Sequence, residues 1–239
     1  MKRLNDRTLN ILTSVIIVSL IIGISAVCFI PDKAVMIAGS ESYSPIYNGN
    51  RDEPEVALMF NVYEGTEVVS KILDILKKYN AKATFFVGGC WADDNGETLV
   101  RILSDGHEIG SHGYFHKDMK KLTEEQNEIE IVNTEKLVLA LTGYKMTLFA
   151  PPSGSFSNKT LKVAEKLGYK TIMWSKDTVD WRDKSVETVY NRATKNIQNG
   201  DFVLMHPKAH TAEALAEILT YYGEKGIRAV TVSECIGMK

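Results

Sequence analysis

The decapeptide HEIGSHGYFH, residues 107–116, places two histidines four residues apart after a short apolar segment. Ile109 alternates with polar neighbours, which is typical of a strand, so residues 108–111 are predicted to form a short strand that ends at His112. A glycine follows, where the chain can turn, and His116 can then converge with His112 on one point. Two neutral imidazoles at a strand end suit a divalent metal. Two solvated loop histidines are the alternative, and only the surrounding sequence can decide.

Strand-like and helix-like segments alternate along the rest of the chain. Apolar strand-like runs lie at 56–60, 83–87, 108–111, 147–150, 170–174, 202–205 and 229–232, and helical spacing covers 67–79, 99–104, 123–142, 159–167, 186–197 and 212–224. Thr123 and Gln126 form a capping-box pattern at the start of the longest helix. Short alternation of this kind implies parallel strands with crossover helices, most simply an α/β fold closed into a distorted (β/α) barrel of about seven strands. Active sites of such barrels gather where the strands end.

The first thirty residues differ from the rest. Residues 11–30 carry no charge, and they are long enough to cross a hydrocarbon core of about 30 Å. Lys2, Arg3 and Arg7 precede this run and favour a cytoplasmic N-terminus. We expect a single-pass protein of the cell membrane with a cytoplasmic N-terminus at 1–10, a transmembrane helix at 11–30, a stem at 31–53 and an extracytoplasmic domain at 54–239. A cleaved signal peptide is the alternative for the apolar run.

Composition limits the classes of function. The net charge of −2 argues against a nucleic-acid partner, and 44% hydrophobic content in 239 residues is enough for one large single-domain core. Of the three cysteines, Cys28 belongs to the apolar run, which leaves Cys90 and Cys235. Three cysteines do not make a disulfide framework, and whether the last two pair is left open.

Short recognisable segments follow the predicted strands in a set order. They occur at 61–65, at His112 and His116, at 150–154, at Asp177, Asp180 and Trp181, and at His206. This series resembles the polysaccharide deacetylase family, the NodB-homology domain of carbohydrate esterase family four, from roughly residue 46 to the C-terminus. Segments such as KATFFVGGCWA, GHEIGSHGYFHKDM and PPSGSFSNKTLKVAEKLGY are most similar to its sporulation-associated, membrane-anchored subgroup.

The resemblance implies a catalytic role for four residues. His112 and His116 would hold a divalent metal, zinc or a similar ion. His206 would be the general acid that protonates the departing amine, and Asp180 would tune that histidine. An imidazole suits this proton transfer because it titrates near pH ~6.5.

Aromatic residues and a proline are expected around the substrate. The resemblance implies that Trp181 lines a sugar groove, and Pro152 and Tyr63 are expected beside it; Tyr63 could instead merely cover the barrel mouth. Trp174 is interpreted as a core residue, with a platform for a sugar as the alternative, and His107 is interpreted as a structural residue.

Two motifs depart from the family pattern. The first four residues of the family's Thr-Phe-Asp-Asp-Gly motif correspond here to Met, Phe, Asn and Val at 59–62. Asn61 thus stands where the catalytic base is expected, and Val62 stands where a metal-ligating aspartate is expected. Ala150 occupies the position of an arginine that orients the base. Glu64 projects to the same side as residue 62 in an extended segment, so it is the candidate replacement ligand. A solvated loop carboxylate is the alternative reading of Glu64.

The resemblance implies metal-assisted hydrolysis of the N-acetyl groups of cell-wall glycan, such as peptidoglycan, by a carbohydrate de-N-acetylase. Loss of a general base typically lowers such a rate by ~10²–10⁴-fold, so turnover is expected to be weak. The alternative is a catalytically inactive member that binds cell-wall glycan or supports wall or spore assembly.

Overall fold

The computed structural model describes residues 5–28 and 43–238. The chain divides into two units, Met1–Ser42 and Tyr43–Lys239. The described part of the first unit is helix α1 (Asp6–Cys28). Within the described part of the chain, no helix combines the length and the apolar character needed to cross a membrane. The anchor at 11–30 is therefore not confirmed and stays a prediction; its last two residues, and the stem as far as residue 42, lie outside the described residues.

The second unit is built on one sheet of parallel strands. The strands are β1 (Glu55–Val62), β2 (Thr84–Val87), β3 (Glu108–Ser111), β4 (Leu148–Phe149), β5 (Lys170–Thr171), β6 (Lys176–Asp177), β7 (Phe202–Met205) and β8 (Arg228–Val230). Their order is β5-β4-β3-β2-β1-β7-β6, and β8 pairs with the beginning of β1. The parallel α/β barrel expected from the alternating sequence pattern is confirmed, with eight strands among the described residues where about seven were predicted.

Helices connect the strands. They are α2 (Thr66–Lys78), α3 (Gly89–Asp93), α4 (Gly96–Ser104), α5 (Glu124–Thr142), α6 (Asn158–Lys166), α7 (Val186–Thr194), α8 (Ala209–Glu224) and α9 (Val232–Cys235). Short 3₁₀ turns lie at Met119–Lys121 and Pro152–Gly154. The capping box predicted at Thr123 and Gln126 is present, and Gly143 ends the same helix with a φ of 71°. A left-handed conformation of this kind suits glycine because it has no Cβ.

Strand β1 is buried on both faces and separates two apolar layers. Val56, Leu58, Phe60 and Val62 belong to the larger core cluster, which also contains the buried faces of the helices. Ala57 and Met59 belong to a smaller cluster inside the barrel. Since successive side chains of a strand point to opposite faces, Asn61 continues the inner series.

The barrel is distorted because its sheet does not close strand to strand. Residues before β1 cover the seam, with a parallel bridge from Ile46 to Ile172 and an antiparallel bridge from Asn48 to Asp201. Asp201 is 3% exposed, and its carboxylate lies 2.8 Å from the Arg51 guanidinium. The stem predicted at 31–53 therefore overlaps the folded unit from residue 43 onward.

Several strands are shorter than predicted, and for two of them the structure shows a local reason. The strand predicted at 170–174 ends at Thr171, because the chain then changes partners: the Met173 amide donates to Ile46 and the Ser175 amide donates to Phe202. The strand predicted at 229–232 ends at Val230, because the hydroxyl of Thr231 accepts from the Glu234 amide and begins α9.

His107 is the structural histidine that was expected. It is 5% exposed, and its Nδ1 accepts a hydrogen bond from the Ala83 amide at 3.3 Å. Burial, reinforced by the nearby Lys82 ammonium, lowers the pKa of His107 from 6.5 to about 4. His107 therefore binds a proton more weakly in the folded state than in the unfolded state. As a result, the free energy of unfolding decreases as the pH falls from about 6.5 to about 4.

We predict that His107→Gln, whose side chain can still accept from Ala83, has a weaker acid dependence than the original chain. The histidine alone should lower the free energy of unfolding by about 2–3 kcal/mol between pH 7 and pH 4.5. Urea unfolding of both proteins at the two pH values measures the difference. An equal loss in both proteins would contradict the assignment of this proton to His107.

Candidate active site at the strand ends

A cavity of about 610 Å³ opens at the C-terminal ends of the strands. Its lining residues are Asn61, Tyr63, Glu64, His112, His116, Ser153, Trp174, Asp177, Trp181, Leu204, His206, Pro207 and Lys208. Seven of the nine predicted site residues are in this set, and the other two, Asp180 and Pro152, are not. Positions far apart in sequence therefore meet because parallel strands end at one edge of the sheet.

Two imidazoles form one wall of the cavity. His112 follows β3, is 2% exposed, and has its Nδ1 2.8 Å from the carbonyl oxygen of Ala150. Since a carbonyl only accepts, Nδ1 carries the proton and Nε2 does not. Burial lowers the pKa of His112 to about 3, so the ring is neutral near pH 7. The ring centroid of His116 lies 5.1 Å from that of His112.

A buried carboxylate holds the loop between these histidines. Glu130 on α5 is 1% exposed, and its Oε2 accepts from the amides of Tyr114 at 2.9 Å and Phe115 at 2.8 Å. Its Oε1 lies 3.2 Å from the Lys117 ammonium. These contacts support the loop that carries His116, whose φ of 53° is uncommon for a residue with a side chain. Sequence reasoning missed Glu130, although a glutamate on the buried stripe of α5 was a signal.

The opposite wall carries a histidine paired with a buried aspartate. His206 follows β7, and its Nδ1 lies 2.7 Å from Oδ1 of Asp180. Oδ2 of Asp180 accepts from the His206 amide and from the Thr211 hydroxyl, each at 2.7 Å. Burial alone would raise the pKa of Asp180, but hydrogen bonds from His206 and Thr211 outweigh it and hold the pKa below its usual value. An ionised Asp180 thus lies beside the imidazole, in the place that the family resemblance implied, and its role in tuning His206 stays a prediction. Thr211 was missed.

The innermost polar group is Asn61. Its side chain is 4% exposed and lines the cavity, and its Oδ1 has no hydrogen-bond partner among the described residues. A neutral amide cannot take a proton from water near neutral pH. Val62 and Ala150 are fully buried apolar residues, so neither supplies a polar atom to the cavity.

Glu64 does not join the two imidazoles. Its carboxylate forms an ion pair with Lys208 at the edge of the cavity, and the hydrogen bond from Lys208 lowers the pKa of Glu64. Within the described residues there is no group of three His, Cys, Asp or Glu side chains placed to hold a metal ion. A catalytic zinc site usually has three protein ligands, and two imidazoles do not complete one. The residues present therefore do not fit the metal site that the sequence predicted.

Aromatic rings flank the cavity. Trp181 is 55% exposed, and the guanidinium of Arg182 lies 5.8 Å from its ring. Tyr63 is 38% exposed, and its ring centroid lies 5.0 Å from that of His116. Both aromatic predictions are thus placed at the cavity, where a flat ring can pack against a sugar.

Two other predictions are placed differently. Pro152 is buried in its 3₁₀ turn and does not line the cavity, whereas its neighbour Ser153 does. Trp174, interpreted from sequence as core, packs partly against the inner cluster and also lines the cavity.

We predict that Thr211→Val, which keeps the shape but removes the hydroxyl, destabilises the fold by about 1.5–3 kcal/mol, the usual worth of a hydrogen bond to a charged group. It should also shift the imidazole NMR signals of His206, because Asp180 is less constrained. Thr220→Val is the matched control on α8, since the Thr220 hydroxyl is exposed and donates to Ala216 of its own helix. Unchanged His206 signals in Thr211→Val would contradict a positioning role.

Comparison with known proteins identifies the family. The polysaccharide deacetylase model matches residues 48–172. The uncharacterized protein YlxY of Bacillus subtilis is 41% identical over 80% of this chain, which spans only 60% of that protein's length. A peptidoglycan-N-acetylglucosamine deacetylase of Bacillus cereus is 36% identical, with 80% of this chain and 72% of that protein covered.

A solved structure with the same fold is a carbohydrate esterase family four pseudoenzyme from Bacillus anthracis. It has a TM-score of 0.80 and 37% identity, with 83% of this chain and 70% of that chain covered. A mutant of that pseudoenzyme with restored enzymatic activity also has a TM-score of 0.80, with 35% identity, 83% of this chain and 73% of that chain covered. Since the family model matches more than half of this sequence, the chain belongs to the polysaccharide deacetylase family.

Proposed function

We propose that the cavity binds N-acetylated cell-wall glycan, peptidoglycan above all, and that the chain hydrolyses its N-acetyl group only weakly. The observation that carries the proposal is that one cavity is lined by His206, which the buried Asp180 holds from behind, and by the neutral Asn61. The Bacillus cereus relative, named for deacetylation of peptidoglycan N-acetylglucosamine, supports the choice of substrate.

The site retains the residues that would protonate the leaving group. Amide hydrolysis requires that the departing nitrogen receive a proton. His206 lines the cavity, and Asp180 fixes its Nδ1 at 2.7 Å, so Nε2 is the ring nitrogen left to deliver that proton. Trp181 and Tyr63 offer rings against which a sugar can pack.

The step that we expect to be slow is activation of the attacking water. Asn61 cannot remove a proton from it, and loss of a general base typically lowers the rate by ~10²–10⁴-fold. Val62 is buried among apolar side chains, and Glu64 is engaged by Lys208. The missing third ligand therefore adds to the loss of the base.

A second candidate function is glycan binding without turnover, in support of wall or spore assembly. The Glu64–Lys208 ion pair and the lack of a three-ligand group among the described residues favour it. The similarity to a family pseudoenzyme also supports it. In either case, the proposal keeps the helix predicted at 11–30 as an anchor that would hold the domain at the outer face of the cell membrane.

Acetate release from chito-oligosaccharides or muropeptides, measured with added Zn²⁺, tests the proposal. We expect little acetate from the original chain and none from His206→Ala. The triple variant Asn61→Asp, Val62→Asp, Ala150→Arg should raise the rate by about 10²-fold or more, because it restores a base, a third ligand and an orienting partner.

Two outcomes separate weak hydrolysis from glycan binding without turnover, and a third tests the assignment of the three substituted positions. Slow release that His206→Ala abolishes establishes weak hydrolysis, and no release together with measurable glycan binding establishes the binding protein. A triple variant that keeps its near-UV circular dichroism, binds Zn²⁺ and stays inert would contradict the assignment of these three positions.

A further inference from the structure

We propose that two copies of this chain pair through the outer face of α5, with the two helices antiparallel and related by a two-fold axis. The residues of this face, called here the outer stripe, are Glu125, Ile129, Val132, Lys136 and Leu139. None of them lines the cavity at the strand ends, so the inference does not depend on the function proposed for that cavity.

The outer stripe has the spacing of a coiled-coil seam. Its members follow one another at intervals of four, three, four and three residues along α5. This alternation gives a mean period of about 3.5 residues, which keeps one line of side chains facing a partner helix. The buried residues of α5 lie on the opposite side of the helix, and they are Asn127, Glu130, Ile131, Thr134 and Val138. The outer stripe therefore points away from the core.

The apolar members of the outer stripe are exposed, although α5 already has a buried face. Ile129 is 52% exposed and Leu139 is 44% exposed. An open groove of about 330 Å³ lies along the stripe, and Ile129 and Val132 are its apolar lining residues. A surface helix usually has polar residues on the side away from its core. Apolar side chains at regular helical spacing on that side therefore indicate a surface that a second helix covers.

The charged members of the outer stripe have no partner of opposite charge in their own chain. Glu124, just before the stripe, forms an ion pair with Lys162. Neither the Glu125 carboxylate nor the Lys136 ammonium forms an ion pair with any residue in the described part of the chain. One negative and one positive side chain thus remain available on either side of the two central apolar residues.

Charge complementarity selects a second copy of α5 as the occupant and fixes its direction. At the centre of the contact, Ile129 packs against Val132 of the other copy. Four positions further from the centre, an antiparallel helix then places Glu125 against Lys136 of the other copy. The two-fold axis repeats both contacts, so two apolar contacts lie between two ion pairs. A parallel pair would instead bring like charges together, which is unfavourable.

The size of the contact predicts a reversible dimer. Helix α5 has 19 residues, so at a rise of ~1.5 Å per residue it is ~28 Å long. A contact made by one such helix from each copy is smaller than the interfaces of obligate dimers. We therefore expect an equilibrium between monomer and dimer that depends on protein concentration.

Sedimentation equilibrium of the full chain, in a mild detergent that keeps residues 11–30 in solution, measures the association from about 1 µM to about 1 mM. We expect the original chain to dimerise within this range. Ile129→Ser removes an apolar contact on each side of the axis and should raise the Kd by about 100-fold or more. Glu125→Lys brings two pairs of lysines together and should raise the Kd by about 10-fold or more.

A reversed double variant tests the direction of the helices. Glu125→Lys combined with Lys136→Glu restores opposite charges in an antiparallel pair, so its Kd should return to within about threefold of the original value. Glu217→Lys is the matched control, because it makes the same charge change at an exposed residue of α8. It should change the Kd by less than about twofold.

Three results would overturn the proposal. The first is an original chain that stays monomeric at about 1 mM. The second is a dimer whose Kd is unchanged in Ile129→Ser and in Glu125→Lys. The third is a dimer that Glu125→Lys weakens and the reversed double variant does not restore, which would contradict the antiparallel arrangement. Far-UV circular dichroism checks the fold of each variant, and the charge variants decide the question without Ile129→Ser.

Discussion

The in-and-out alternation of β1 is the constraint on which the site depends. This strand pairs with β2, β7 and β8, and both of its faces are buried in apolar layers. A shift of one residue would put Phe60 and Val62 inside the barrel and Asn61 among the helices. The burial of large side chains on the outer face opposes that shift, so the packing of the helices also fixes what the cavity presents to a ligand.

The charged side chains near the cavity that are described above each have a hydrogen-bond or ion-pair partner in the protein. The Glu130 carboxylate accepts hydrogen bonds from two backbone amides and forms an ion pair with Lys117. The Asp180 carboxylate contacts His206 and Thr211. Glu64 forms an ion pair with Lys208 at the edge of the cavity. Buried ions need such partners because desolvation is costly. The one deeply placed polar group with an unused acceptor is, within the described residues lining the cavity, the neutral amide of Asn61.

Sequence reasoning succeeded where the signal was local. Continuous apolar runs located β1 and β7, alternation around Ile109 located β3, and the capping box at Thr123 was a four-residue pattern. Polar residues at strand ends gave most of the cavity lining. Glu130, Thr211 and the partner of Glu64 were missed or wrongly assigned because each depends on contacts between distant elements. The short β6 was missed because the chain changes its pairing partner just before that strand. A change of partner leaves no periodic pattern of apolar residues in the sequence.

The bridges across the barrel seam decide where the independently folding fragment begins. An expression fragment that starts at residue 54 would match the predicted domain boundary, but it would remove the Ile46 and Asn48 bridges and the Arg51 partner of Asp201. The Asp201 carboxylate would stay buried with a charge that Arg51 no longer balances. The smallest fragment that preserves the seam therefore begins near Tyr43.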